Sequence, residues 1–102
     1  MKLLVEFGYT GEGLRELVKG GASKRREIIG QLVKSLGGRV EAWYLAYGEY
    51  DGIAIVDGPD EVKGIAGLLA LNAGGLVKTR TTVLIEPEKV DQAVKQIPSL
   101  PK

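Results

Sequence analysis

The chain has 102 residues, of which 44% are hydrophobic and 26% are charged, and its formal net charge is +1. This length is that of one domain with a single core, and the balanced charge gives no bulk attraction to nucleic acid or to a membrane surface. The sequence contains no histidine and no cysteine, which excludes a Ser-His-Asp triad, an imidazole or thiolate metal site and a disulfide framework.

The N-terminal part of the chain predicts a strand over residues 2–9, a short helix over 10–19 and a longer helix after it. Thr10 is expected to cap the short helix and Ser23 the longer one. The longer helix is indicated by apolar residues that recur with a helical period, namely Ile28, Ile29, Leu32, Val33 and Leu36. Because the opening apolar run spans only three residues, we expect no signal peptide and a cytoplasmic location.

The second half predicts strands over residues 39–47, 53–57 and 76–85, with helices after the second and third of them. The first of these helices follows Pro59 and carries Val62, Ile65, Ala66, Leu68 and Leu69. The last helix starts at Pro87 and shows Val90, Ala93, Val94 and Ile97 at helical spacing. We therefore expect one domain over residues 1–86 and a C-terminal helix and tail over 87–102.

The predicted order of elements is β-α-β-β-α-β, the split βαβ pattern of a ferredoxin-like α+β fold with an antiparallel sheet. In this fold the first and third strands lie in the centre of the sheet. The composition agrees, because the first and third predicted strands are the most apolar, while the other two contain Arg39, Glu41, Lys78 and Arg80.

Period-two alternation divides the strand residues between two faces of the sheet. The face expected beneath the helices carries Leu3, Val5, Phe7, Ala42, Tyr44, Ile53, Ile55, Val77, Val83 and Ile85. The opposite, open face is expected to carry Leu4, Glu6, Glu41, Trp43, Leu45, Tyr47, Ala54, Val56, Lys78, Arg80 and Leu84. An open face this apolar predicts a homo-oligomer that buries it, with Trp43 near the centre of the contact. The alternative is that the C-terminal helix folds back over the same face and leaves a monomer, or reaches onto a neighbouring copy.

Two charged residues on the open face are expected to pair. If the first and fourth predicted strands are antiparallel with residue numbers summing to about 86, Glu6 lies opposite Arg80.

The stretch "GEYDG" at residues 48–52 lies between two alternating runs and predicts a hairpin turn, with the Asp51 carboxylate accepting hydrogen bonds from amides of the turn. Tyr50 is expected to cover the edge of the sheet. The alternative is a chemical role for these residues. Glu49 and Asp51 together supply too few oxygens for calcium, so we expect no metal site.

Lys24, Arg25 and Arg26 fall in the first turn of the second predicted helix, where the helix dipole disfavours cations. A solvated, salt-screened surface explains such a run. The alternative is that a small anionic ligand or a carboxylate of a partner binds there.

With these elements placed, the chain resembles the GYD-domain family, whose Gly-x-Tyr-Asp signature is here Gly48-Glu49-Tyr50-Asp51. The resemblance covers about residues 2–86 and includes the runs "SLGGRVEAWYLAYGEYD" and "VKTRTTVLI". It implies a ferredoxin-like fold of the dimeric α+β barrel group and implies no particular reaction. The segment "GGASKRRE" departs from the acidic-Ser/Thr-Pro-x-Arg opening of that family, and the C-terminal helix is a second departure.

The second half is also similar to the ligand-sensing domain of leucine-responsive regulators, which implies a stand-alone sensor that binds a ligand between subunits.

Three functions remain open. The first is an oligomeric small-molecule-binding module, with its site between subunits or on the open face. The second is a cofactor-independent enzyme that uses Tyr47, Glu6 or Arg80. The third is a protein-protein adaptor. The candidate ligand or interface residues are Glu6, Trp43, Tyr47, Tyr50, Asp51 and Arg80.

Overall fold

The structure is a computed structural model that describes residues 1–101. Its elements are β1 (Lys2–Tyr9), α1 (Gly11–Gly20), α2 (Ala22–Ser35), β2 (Arg39–Leu45), β3 (Gly52–Asp57), α3 (Glu61–Ala73), β4 (Val77–Leu84) and α4 (Pro87–Val94). In the described part of the chain, no helix is both long and apolar enough to cross a membrane.

The four strands form one antiparallel sheet in the order β2-β3-β1-β4. This α+β arrangement is the ferredoxin-like one, with β1 and β3 in the centre, and the prediction from element order is confirmed. The register of β1 and β4 is also the predicted one, because Glu6 lies opposite Arg80.

Local capping explains where the helices begin. Thr10 caps α1 through a hydrogen bond that its Oγ1 accepts from the Gly13 N–H at 3.0 Å, and Asp60 caps α3 in the same way. The prediction that Ser23 caps α2 is wrong. Gly21, at φ 86°, makes the sharp turn between α1 and α2, so the helix starts at Ala22 and already contains Ser23.

The buried core lies on the helix-covered face of the two central strands and consists of Leu3, Val5, Phe7, Ala54 and Val56. The predicted faces of β3 are therefore wrong. Ala54 and Val56 lie beneath the helices, whereas Ile53 and Ile55 lie on the open face. On the covered face Val5 lies opposite Ala54 and Phe7 lies opposite Gly52, where an added Cβ would collide with the Phe7 ring. This fit in size sets the register of β3.

A β-bulge changes the faces of β2. Val40 lies opposite Val56 while Ala42 lies opposite Ile55, so the alternation shifts by one residue between them. Trp43 consequently lies beneath the helices, where its ring stacks on that of Phe7 at a centroid distance of 5.5 Å. The prediction that Trp43 lies at the centre of the open face is wrong.

The bulge has the same consequence for the neighbours of Trp43. Leu45 follows it to the covered face, and Ala42 and Tyr44 take the open face. Glu41 stays on the open face as predicted, where one of its carboxylate oxygens lies 3.2 Å from Nζ of Lys2.

The open face of the sheet is thus less aromatic than predicted but still largely apolar in the middle. It carries Lys2, Leu4, Glu6, Glu41, Ala42, Tyr44, Ile53, Ile55, Lys78, Arg80, Thr82 and Leu84. Its central residues Leu4, Ile53 and Ile55 are half-buried by their neighbours in the sheet, and Tyr44 is 65% exposed.

Candidate binding site

The helices leave the middle of the covered face partly open. α2 packs against β2 and α3 packs against β4, so each helix covers one flank of the sheet. The two helices approach each other where Leu36 meets Gly67, since a Cβ at Gly67 would lie 2.8 Å from Cδ1 of Leu36. The space left between the helices, above β1 and β3, is a cavity of about 220 Å³.

The floor and walls of this cavity are almost entirely apolar. The core residues of β1 and β3 form the floor together with Trp43, and α2 contributes one wall. The residues from α2 and the turn after it are Arg25, Ile28, Ile29, Leu32, Val33 and Leu36. The covered face therefore contains a cavity whose lining is mainly aliphatic and aromatic.

α3 forms the opposite wall. Its residues in the lining are Gly64, Gly67, Leu68, Ala70 and Leu71, followed by the C-cap Gly74, and a Cβ at Gly64 would meet no atom within 4 Å. Leu68 is half-buried against the core, whereas other apolar side chains of this helix are exposed, with Val62 at 75% and Leu69 at 64%. The glycine face of α3 thus makes room for the cavity, because a glycine leaves open the volume that a larger side chain would fill.

Of the residues that the structure describes, three polar ones line the cavity, namely Tyr9, Arg25 and Thr79. Burial raises the pKa of the Tyr9 phenol above its ordinary value of 10.0; the charge of Arg25 opposes this shift, and the carboxylate of Asp51 adds to it. Tyr9 therefore remains a protonated hydrogen-bond donor at neutral pH. Arg25 is the one charged residue of the lining.

The basic run at the start of α2 is divided by the structure. Arg25 is half-buried against the cavity, whereas Lys24 and Arg26 are exposed and do not contribute to its lining. Of the three predicted anion-binding residues, the geometry thus sets Arg25 apart.

Asp51 of the hairpin signature forms hydrogen bonds with residues of β1. The Asp51 carboxylate accepts a hydrogen bond from the Tyr9 N–H at 2.6 Å, and the Asp51 N–H donates to the Phe7 carbonyl at 3.0 Å. The prediction that amides of the turn donate to Asp51 is wrong in its partner, because the donor belongs to the neighbouring strand. Asp51 nevertheless has a structural role in joining the hairpin to β1.

The remaining candidates fall into two groups on different faces. On the open face, Arg80 lies opposite Glu6 in the register of β1 and β4. Nη1 of Arg80 donates a hydrogen bond to the Tyr50 hydroxyl at 3.4 Å. This hydrogen bond, then the electrostatic interaction with Tyr50 and after it the charge of Glu6, raise the pKa of Arg80. Within residues 1–101, no carboxylate forms an ion pair with Arg80 at the 4.0 Å limit.

Tyr47 lies elsewhere, fully exposed beside a shallow groove of about 270 Å³ that also contacts Asp51 and α1. The structure therefore does not bring Tyr47 together with Glu6 and Arg80, the combination that the enzyme hypothesis used. Tyr9 and the glycine face of α3 were missed by the sequence reasoning. The signal that could have found them is the helical spacing of Gly64, Gly67 and Gly74.

The comparisons with known proteins give one match. The sequence model of the GYD domain family matches residues 4–94, which reach from β1 to the last residue of α4. No curated protein and no solved structure gives a significant match to the chain.

Proposed function

The chain belongs to the GYD domain family, and we propose that it is a small-molecule-binding module whose ligand occupies the cavity between the sheet and helices α2 and α3. The observation that carries this proposal is the apolar cavity of about 220 Å³. Because the lining is almost entirely apolar, a ligand that fills this cavity removes apolar surface from water, which contributes about 25 cal/mol for each Å² buried.

The volume limits the size of the ligand. An apolar cavity of about 150 Å³ accommodates benzene, with its six carbon atoms. In proportion, the cavity of about 220 Å³ holds about nine non-hydrogen atoms. The ligand class is therefore a single aromatic ring or a medium-length alkyl chain.

The proposal includes self-association through the open face, for which the mixed character of that face is the support. Its apolar middle at Leu4, Ile53 and Ile55 is flanked by groups of both signs, with Glu6 opposite Arg80. In a two-fold pair of sheets such a surface is self-complementary, because an acidic group of one copy can face a basic group of the other. The occupant of the open face is accordingly a second copy of the chain.

The cavity proposal is tested by filling the cavity. Gly64 on α3 and Gly30 on α2 both have no atom within 4 Å of an added Cβ, but only Gly64 lines the cavity. Gly64→Leu is the test variant and Gly30→Leu is its matched control, since both replace a helical glycine by the same good helix former. Isothermal titration calorimetry with toluene measures binding of a neutral apolar probe.

We expect toluene to bind the parent protein and Gly30→Leu, and to bind Gly64→Leu at least tenfold more weakly, because the leucine occupies the site. Gly64→Leu should also gain more stability than the control. Absence of toluene binding to the parent protein, or equal binding to both variants, would refute the cavity as the ligand site.

A further inference from the structure

Arg25 is placed differently from the other basic residues that the structure describes. Among those residues it is the one charged residue that lines the apolar cavity, and it is half-buried there. Within residues 1–101, no carboxylate forms an ion pair with it at the 4.0 Å limit. A cation against an apolar cavity loses part of its hydration without a protein partner to replace it, and this favours a partner of opposite charge.

The start of α2 adds to the positive potential around Arg25. The first turn of this helix contains no acidic residue, and its N-cap Gly21 has no side chain to accept from the free N–H groups. The partial positive charge of the helix N-terminus therefore adds to the charges of Lys24, Arg25 and Arg26. An anion bound at this end of the cavity would be attracted by all of them.

Tyr9 supplies a second polar group in the same lining. Its phenol is held in the protonated form at neutral pH, and its ring packs edge-on against Phe7 at a centroid distance of 5.7 Å. Tyr9 and Arg25 belong to the lining of the same cavity. A guanidinium and a hydroxyl donor beside an apolar space match a ligand with one acidic end and one apolar end.

We propose that the ligand of the cavity is a small amphipathic carboxylic acid, with its carboxylate bound by Arg25 and Tyr9 and its alkyl or aryl part among the core residues. This inference rests on the proposed function and deepens it. The guanidinium fork matches the two oxygens of a carboxylate, and such charge-assisted hydrogen bonds are about twice as strong as neutral ones. The apolar part is limited by the volume to a ring or to a chain of about eight carbons.

The test uses three probes with the same eight-carbon chain, namely octanoate, 1-octanol and octylammonium, titrated calorimetrically into the full chain. The variants are Arg25→Gln and, as the matched control, Arg26→Gln, which removes a neighbouring exposed charge that does not line the cavity. We expect the parent protein and Arg26→Gln to bind octanoate about tenfold or more tightly than octanol. Arg25→Gln should bind the two equally.

Retained octanol binding by Arg25→Gln would show that this variant is folded, so a selective loss of octanoate affinity supports the carboxylate site. Tyr9→Phe is expected to lower the affinity for octanoate more than the affinity for octanol. Equal affinity of the parent protein for all three probes would overturn the inference and leave the proposed function standing. If none of the three probes binds the parent protein, both the inference and the proposed function are overturned. An equal loss of octanoate affinity in Arg25→Gln and Arg26→Gln would reduce the effect to general electrostatic attraction and would also overturn the inference.

Discussion

The carboxylate of Asp51 accepts a hydrogen bond from the backbone N–H of Tyr9 at 2.6 Å, and the Asp51 N–H donates to the carbonyl of Phe7. Asp51, the last residue of the Gly-x-Tyr-Asp signature, therefore holds Phe7 and Tyr9 at the end of β1. The side chain of Tyr9 lines the cavity, so Asp51 connects the hairpin to the candidate site through the backbone of β1.

Asp51→Ala is expected to lower the free energy of unfolding by about 1 to 3 kcal/mol, because the variant leaves the Tyr9 N–H without its charged acceptor. Urea denaturation measures the change. Glu49→Ala is the control, since Glu49 is exposed in the same hairpin, and its effect should stay within about 0.5 kcal/mol. An Asp51→Ala protein with full stability but no ligand binding would instead assign Asp51 a direct role in the site.

Glu6 and Arg80 are opposite one another in the register, yet the Arg80 side chain is exposed and donates to Tyr50. We expect a double-mutant cycle of Glu6→Gln and Arg80→Gln in dilute protein to give almost no coupling, as exposed charge pairs do. The same cycle on concentrated, self-associated protein should give clear coupling, because sheet-to-sheet packing removes water from both groups. Equal coupling under both conditions would contradict the proposed interface.

The two adjacent aromatic residues of β2 lie on opposite faces of the sheet, so substitutions at them test the open face and the core separately. Tyr44→Asp is expected to prevent self-association without unfolding, because Tyr44 lies on the open face. Trp43→Asp should instead destabilise the monomer by about 3 kcal/mol or more, since it removes the ring that stacks on Phe7 and adds a charge to the core. Sedimentation velocity combined with urea denaturation distinguishes these effects, and a wild-type monomer at micromolar concentration would rule out the association.

The raised pKa of Tyr9 predicts a loss of stability at high pH. In the unfolded chain the phenol ionises near its ordinary value of 10.0, whereas the folded state holds on to the proton. The stabilisation is therefore complete below pH 10 and is lost as the pH rises through the folded pKa. Urea denaturation between pH 9 and 11 should show a steeper loss for the parent protein than for Tyr9→Phe, and parallel losses would contradict the buried phenol.

The sequence was sufficient for the element order and for the register of β1 and β4, because helical spacing and strand polarity agree there. It was insufficient for the faces of β3, since "IAIV" is apolar at every position and alternation alone cannot assign it. The decisive information is the pairing of Gly52 with Phe7, where a close approach requires glycine. That is a contact between distant parts of the chain.

The candidate site was harder to predict for the same reason. The bulge between Val40 and Ala42 moves Trp43 from one face to the other, and a bulge leaves no pattern in a short strand. The apolar residues of α3 did not show that Gly64 and Gly67 line the cavity beside Leu68 while Val62 and Leu69 are exposed. The basic run at residues 24–26 was visible in the sequence, but the depth of Arg25 beside the cavity depends on how α2 packs against β2.

The position of β1 in the centre of the sheet also determines how the domain must form during translation. β1 is made before its partners β3 and β4, so its apolar residues leave the ribosome with nothing to pair with. At about 5 to 20 residues per second, β4 is completed roughly 4 to 15 s after β1. During that interval the nascent chain depends on chaperones or on its own helices to shield the strand. A message truncated before residue 77 would release a chain with one edge of β1 unpaired, which is a template for aggregation.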